Sequence, residues 1–236
     1  MSDDGTVAID YFSDVLCVWA YVAQIKVDEI RTTFGSEVEI EPRFITVFGD
    51  TAAKIGVGWE DRGGFEGYAR HVADVASGFP HVAVHPELWT RAIPASSMGC
   101  HLLLKAVQGL CQDGQLPKSL ELDGTARPTT EALAWQLRVE FFAAAREVGE
   151  RGVQGEITEA LGLPRAPIEA RMADGRAFAA LWSDMELQRA HQVPGSPTWL
   201  LNQGRQRLYG NVGYRILEAN IQEALAAGSS DLASWC

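Results

Sequence analysis

The sequence predicts an α/β fold whose core is split by a long helical insertion. Three stretches predict it. Residues 7–12 and 38–47 read as strands joined through residues of helical spacing. Residues 65–191 carry apolar side chains at three- and four-residue steps, as helices do. Beyond them, residues 198–209 return to two apolar runs around a turn.

The first strand, Val-Ala-Ile-Asp-Tyr-Phe, ends at Phe12, and Val22, Ile25, Ile30 and Phe34 mark a helix over residues 21–34. Cys17 therefore falls at a strand-to-helix junction. There the unpaired N–H groups and the positive end of the macrodipole favour an anion. A thiol so placed is expected to ionise more readily than a free one, and the thiolate is the reactive form. The plain alternative is a half-buried structural cysteine. Residues 38–47 give a second strand parallel to the first, with the helix as a right-handed crossover. The window 49–67 holds six glycines, at 49, 56, 58, 63, 64 and 67. It reads as a flexible or closely packed loop beside the Cys17 edge, a candidate mobile cover.

Helices are expected over residues 67–77, 95–111, 130–150, 154–161 and 167–189. Thr129-Thr130-Glu131, following Pro128, opens the third in capping fashion, and Gly162-Leu163-Pro164 closes the fourth. Residues 79–89, with two prolines and two histidines, read as an irregular connection. Strands over 198–202 and 206–209 around Gln203-Gly204 form a hairpin, followed by a helix over 214–227. The core thus comprises residues 5–50 and 190–228, the all-helical insertion residues 65–189, and residues 229–236 a loose tail. The insertion is expected to pack over the Cys17 edge and leave a pocket beyond the C-terminal ends of the strands.

Composition excludes several classes of function. A formal net charge of −11 is unsuited to nucleic acid, whose phosphates need a basic face. No run approaches the roughly 20 apolar residues of a membrane span. Met1-Ser-Asp-Asp-Gly5 lacks the basic start and apolar core of a secretory signal, so a cytoplasmic location is expected. In that reducing compartment the cysteines at 17, 100, 111 and 236 are expected to be thiols.

Two motifs carry a resemblance. Early in the chain stands Cys17-Val18-Trp19-Ala20-Tyr21; late stand Gly195-Ser196-Pro197-Thr198 and Tyr209-Gly210-Asn211. The pair resembles the thioredoxin fold of the DsbA family, and within it the branch of 2-hydroxychromene-2-carboxylate isomerases and kappa-class glutathione transferases. The resemblance implies a thioredoxin-like core with a helical insertion. It also implies a cis Pro197 facing the thiol, with the Ser196 backbone able to hydrogen-bond an extended ligand. Redox members carry C-x-x-C and the isomerase branch S-P-x-[S/A]-Y, so this chain combines the first cysteine of one with the Ala-Tyr ending of the other. The branch's W-G-x-D-R, whose acidic residue holds glutathione, is here Tyr209-Gly210-Asn211-Val212-Gly213, without the Asp-Arg pair.

Cys17 is thus the candidate catalytic residue, and Trp19, Tyr21, Ser196, Pro197, Thr198 and Asn211 are candidate substrate-binding residues. Trp19 and Tyr21 either line an apolar pocket or, for Tyr21, make a core contact of the helix. Cys100 and Cys111 share a helical face with Leu103, Leu104 and Val107 and are expected to pack in the core. Cys100-His101 and the His81–His85 pair lack the four-ligand spacing of zinc sites, so no metal is expected. His71 and His191 are proton carriers by residue type only, and Cys236 is expected to be an exposed thiol without a role.

Ala20 occupies the resolving position, so Cys17 cannot close a disulfide within its motif. The expectation is a cysteine-dependent isomerase: Cys17 adds reversibly to a conjugated enoyl or polyenoyl substrate, apolar and either free or tethered to a carrier protein, with no cofactor. Two alternatives stand beside it. One is a monothiol oxidoreductase, transferase or isomerase using glutathione or another small thiol. The other is a non-catalytic binding module. A homodimer is compatible with any of these.

Overall fold

The computed structural model describes residues 6–122 and 124–227; Cys236 and the expected tail lie outside them. Strand β1 (Val7–Ser13) pairs in parallel with β2 (Val38–Phe44) from Val7↔Val38 to Ser13↔Phe44. Between them runs α1 (Val18–Phe34), the expected crossover, beginning three residues earlier than its apolar spacing suggested. β5 (Thr198–Leu201) lies antiparallel to β1, with Phe12 opposite Thr198, and β6 (Gln206–Tyr209) is antiparallel to β5. The sheet order is β2-β1-β5-β6. Because successive strand residues face opposite sides, Val7, Ile9 and Tyr11 pack with Val27 and Ile30 of α1 and with Leu217 and Ile221 of α8 (Tyr214–Ala227). Phe12 and Leu200 pack on the other side, with Ile45 and Val193.

Between β2 and β5 the chain forms α2 (Gly64–Ser77), α3 (Met98–Gln112), α4 (Thr129–Phe142), α5 (Arg151–Ala160), α6 (Arg165–Ala173) and α7 (Arg176–Ala190). This insertion also carries a hairpin, β3 (Ser119–Leu122) with β4 (Thr125–Pro128), where only helix was expected. The single helix expected over 130–150 stops at Phe142: its last carbonyl accepts the His85 N–H at 2.7 Å, and Ala145 turns left-handed at φ 47°. The helix expected over 167–189 divides at Gly175, φ 86°, with the Asp174 carboxylate accepting the Arg176 N–H.

The glycine-rich window is not the loop that its composition suggested. It folds as a π-helical turn over Ala52–Val57 and a 3₁₀ turn over Glu60–Arg62, passing through left-handed Gly63 and Gly64 into α2. Glycine is needed for contact as well as for backbone freedom. A Cβ on Gly67 would lie 1.9 Å from the Arg62 carbonyl oxygen.

The insertion and the start of α1 share one core. Val15 to Val22 pack with Leu103, Leu104 and Val107 of α3 and with Leu137, Phe141 and Phe142 of α4. Asp184 of α7, almost fully buried, accepts from the Phe44 N–H at 2.9 Å and pairs with Lys105 at 2.9 Å and Arg43 at 3.5 Å. One carboxylate thereby joins β2, α3 and α7, an arrangement that offsets the cost of burying its charge.

Candidate active site

Cys17 is the N-cap of α1, extended at φ −85°, ψ 116°. Its N–H donates to the Asp14 carbonyl at 3.2 Å, and its own carbonyl accepts from Ala20 and Tyr21 at 3.1 and 3.0 Å. The thiol donates to the Ser196 carbonyl at 3.3 Å. Strand β1 delivers Cys17 to this place, and the loop entering β5 brings Ser196 up to it.

The electrostatics differ from the sequence expectation. Cys17 is only 5% exposed, and burial pushes its thiol up. Hydrogen bonding at Ser196 and the N–H groups of Ala20 and Trp19 lower it, but by less than desolvation raises it. In the free protein Cys17 is therefore a thiol and not an activated thiolate.

Asp14 fixes the geometry around it, and sequence reasoning passed it over. Its carboxylate accepts from the N–H of Leu16 at 2.9 Å, the N–H of Phe48 at 2.8 Å and the hydroxyl of Ser97 at 2.8 Å. Its own N–H donates to the Ser196 hydroxyl oxygen at 2.9 Å. The chain before Cys17, the segment after β2, the start of α3 and the Ser196 loop thus meet on one residue. His101 stands beside it, fully buried, with Nε2 accepting the Val15 N–H at 3.2 Å. That bond occupies the Nε2 lone pair, so the proton sits on Nδ1 and the ring is neutral. Burial acts in the same direction and lowers the pKa of His101. The 3.6 Å approach of Nε2 to Asp14 is accordingly no ion pair.

The candidate binding residues separate. Ser196 touches Cys17, and the Ser196–Pro197 peptide is cis. Thr198 is fully buried and its hydroxyl donates to the Gly195 carbonyl at 2.7 Å, bracing the same loop from behind. The Pro197 carbonyl accepts the Gly210 N–H at 2.8 Å. Trp19 is half-buried and meets Phe79 edge-on at 6.4 Å. Tyr21 is a core residue: its ring stacks on Phe142 at 4.6 Å and its hydroxyl donates to the Ala83 carbonyl. Asn211 accepts a hydrogen bond from Lys26, nine residues beyond Cys17 on α1, about 13 Å at the helical rise.

The remaining thiols are occupied elsewhere. Cys100 is buried and donates to the Val148 carbonyl at 3.1 Å, and burial pushes it up to about 12. Cys111, half-buried, donates to the Pro117 carbonyl. All three described cysteines are free, and the position-20 methyl is fully buried.

An aromatic group also lies on the Cys17 side of the insertion. Tyr68 of α2 meets Trp59 at 5.0 Å, Trp89 at 5.5 Å and Phe48 at 6.0 Å, and belongs to the same packed cluster as Cys17. His71 joins it at 5.8 Å from Tyr68. Aromatic residues scattered over forty positions give no sequence motif, so nothing in the spacing marked Tyr68.

No protein-family model and no curated protein matches this sequence. Solved structures do match. A probable DsbA oxidoreductase from Streptomyces coelicolor is 17% identical, with a TM-score of 0.70 over 98% of this chain and 94% of that one. A cytosolic disulfide reductase from Pseudomonas aeruginosa, determined with GSH, is 18% identical, with a TM-score of 0.61 over 91% and 99%. A 2-hydroxychromene-2-carboxylate isomerase is 14% identical, with a TM-score of 0.58 over 92% and 95%. The sheet, the thiol at its C-terminal edge and the inserted helices thus make up the thioredoxin-like fold of DsbA-type oxidoreductases and of this isomerase.

Proposed function

We propose that the protein is a cysteine-dependent cis–trans isomerase of conjugated enoyl or polyenoyl compounds. The observation that carries this reading is a thiol seated at the N-cap of α1 against the Ser196 carbonyl, with a buried methyl in the resolving position and, among the described residues, no second cysteine bonded to it. Dithiol exchange needs a second sulfur, and none is bonded to Cys17 among the described residues. Reversible addition to carbon needs only one. Sulfur bonds to the β-carbon, the π pair moves to the carbonyl oxygen, and the former double bond rotates as a single bond. Return of the electron pair expels sulfur and leaves the other isomer. In this reading the N–H groups at the start of α1 steady negative charge as it develops.

A small-thiol-dependent reaction is the second reading, supported by the Ser196 backbone beside the thiol and by fold neighbours that include a disulfide reductase determined with GSH. Both are tested by a chromatographic assay on a panel of enoyl substrates, with glutathione added or withheld. Turnover without glutathione is expected. Cys17→Ala should abolish it, and Cys17→Ser should leave a trace at most, since an alcohol gives up its proton far less readily than a thiol and is a poorer nucleophile. Strict dependence on glutathione would favour the second reading, and full activity in Cys17→Ala would sink the covalent mechanism.

A further inference from the structure

A small cavity lies between β1, β2, α1 and α4, with Tyr11, Ser13, Gln24, Glu131 and Arg138 among its walls. Its volume is ≈ 20 Å³ for a sphere the size of water, room for one water or one monatomic ion and too little for a phosphate or a carboxylate. Arg138 is 2% exposed, yet among the described residues no carboxylate bonds it. Its Nη1 donates to Gln24 Oε1 at 3.4 Å, its Nη2 donates to the Ser13 hydroxyl at 3.0 Å, and its Nε has no partner. The buried Tyr11 hydroxyl has none either. Burial raises the pKa of that phenol, so its proton stays in place; the Arg138 charge is the next largest cause and lowers it. Ser13, accepting from Arg138, keeps its own proton to give. Three donors on one cavity thus lack an acceptor. The Glu131 carboxylate is engaged by Arg31 at 2.9 Å and Gln24 at 3.3 Å. Two guanidinium groups therefore share one carboxylate, and a positive charge is left over. Buried polar groups are ordinarily bonded, and a buried charge is costly unless it is compensated.

We propose that this cavity is a binding site for a monatomic anion of the chloride type, held by the Arg138 Nε–H and the hydroxyls of Tyr11 and Ser13. Such an ion accepts from all three donors and cancels the surplus charge, and hydrogen bonds to it are of the stronger, charge-assisted kind. A water satisfies the donors but leaves the charge. Arg138 belongs to α4 of the insertion, and Tyr11 and Ser13 to β1, so the ion pins the insertion to the sheet. The site stands apart from the reaction at Cys17 and is the same whichever chemistry that thiol performs.

The test has two arms. The first is a crystal of the wild-type protein grown in sodium bromide, since bromide replaces chloride and scatters anomalously. An anomalous peak within hydrogen-bond distance of Arg138 Nε is expected; density there without that signal is a water, and it overturns the proposal, as does no density at all. The second arm is urea unfolding with chloride replacing gluconate at constant ionic strength. At a chloride concentration about ten times Kd the folded-to-unfolded ratio should rise about tenfold. Arg138→Met, without the charge, should lose that dependence. Tyr11→Phe, which keeps the ring and removes one donor, should weaken it severalfold, and it carries this arm if Arg138→Met does not fold. A chloride effect as large in the variants as in the wild type would come from ions elsewhere on the protein and would contradict the assignment. A bromide peak with no chloride dependence in solution would mean binding at crystal concentration only, which also overturns it.

Discussion

At Cys17 opposing effects act on one sulfur. The first turn of α1 supplies N–H groups from Trp19 and Ala20 that favour the thiolate, and burial in a largely apolar cluster disfavours it more. A raised pKa means that the thiolate fraction at neutral pH lies below that of a free thiol and grows only as pH rises. In the ligand-free wild type, Cys17 should therefore alkylate with iodoacetamide at pH 7 more slowly than glutathione. Its rate should still be climbing at about pH 10, where a free thiol of pKa about 8.5 has levelled off. Peptide mapping after brief labelling across that pH range measures this; a rate already flat below pH 8 would show that the helix end outweighs burial. Cys17 was legible in the sequence because a strand, a cysteine and a helix are all local features. The direction of its pKa was not, because the side chains that exclude water come from Leu103, Phe141 and other positions far along the chain. Asp14 escaped notice for the same reason: its partners Phe48, Ser97 and Ser196 are remote in sequence.

Among the elements, the strands and α1 followed their periodicity, since alternation and three-to-four spacing report which face is buried. The insertion was read less well where tertiary contacts decide. Nothing local ends α4 at Phe142; the His85 N–H from a distant loop does. The segment between β2 and α2 shows the limit of composition most plainly. Its glycines suggested a flexible or closely packed loop, yet the segment is built of turns: Gly67 lets α2 press against the Arg62 carbonyl, and Gly63 and Gly64 take left-handed conformations that larger residues resist. Gly67→Ala should destabilise the protein by about 1–3 kcal/mol, the usual cost of overpacking, seen as a lower midpoint in urea unfolding. An unchanged midpoint would mean that the turn over Glu60–Arg62 yields freely.

Over the whole molecule, the insertion and the sheet are joined at the site. Asp184 ties α3 and α7 to β2, and α4 closes on Tyr21 of α1 through Phe142. The thioredoxin-like fold places the thiol at the sheet edge, and the core it shares with the inserted helices buries it. The fold is shared with redox proteins, so the chemistry has to be argued from the site. The proposed chemistry is addition of sulfur to carbon, rotation and expulsion, a sequence that requires no C–H bond to break. The direct measurement is isomerisation of an enoyl substrate by the wild-type protein in D₂O, with the product analysed by mass spectrometry. Isomerisation by addition and expulsion of Cys17 should give a product of the same mass as the substrate, with no deuterium at the γ-carbon. Deuterium at the γ-carbon would show that a proton is removed there and returned, and would contradict isomerisation by addition of Cys17.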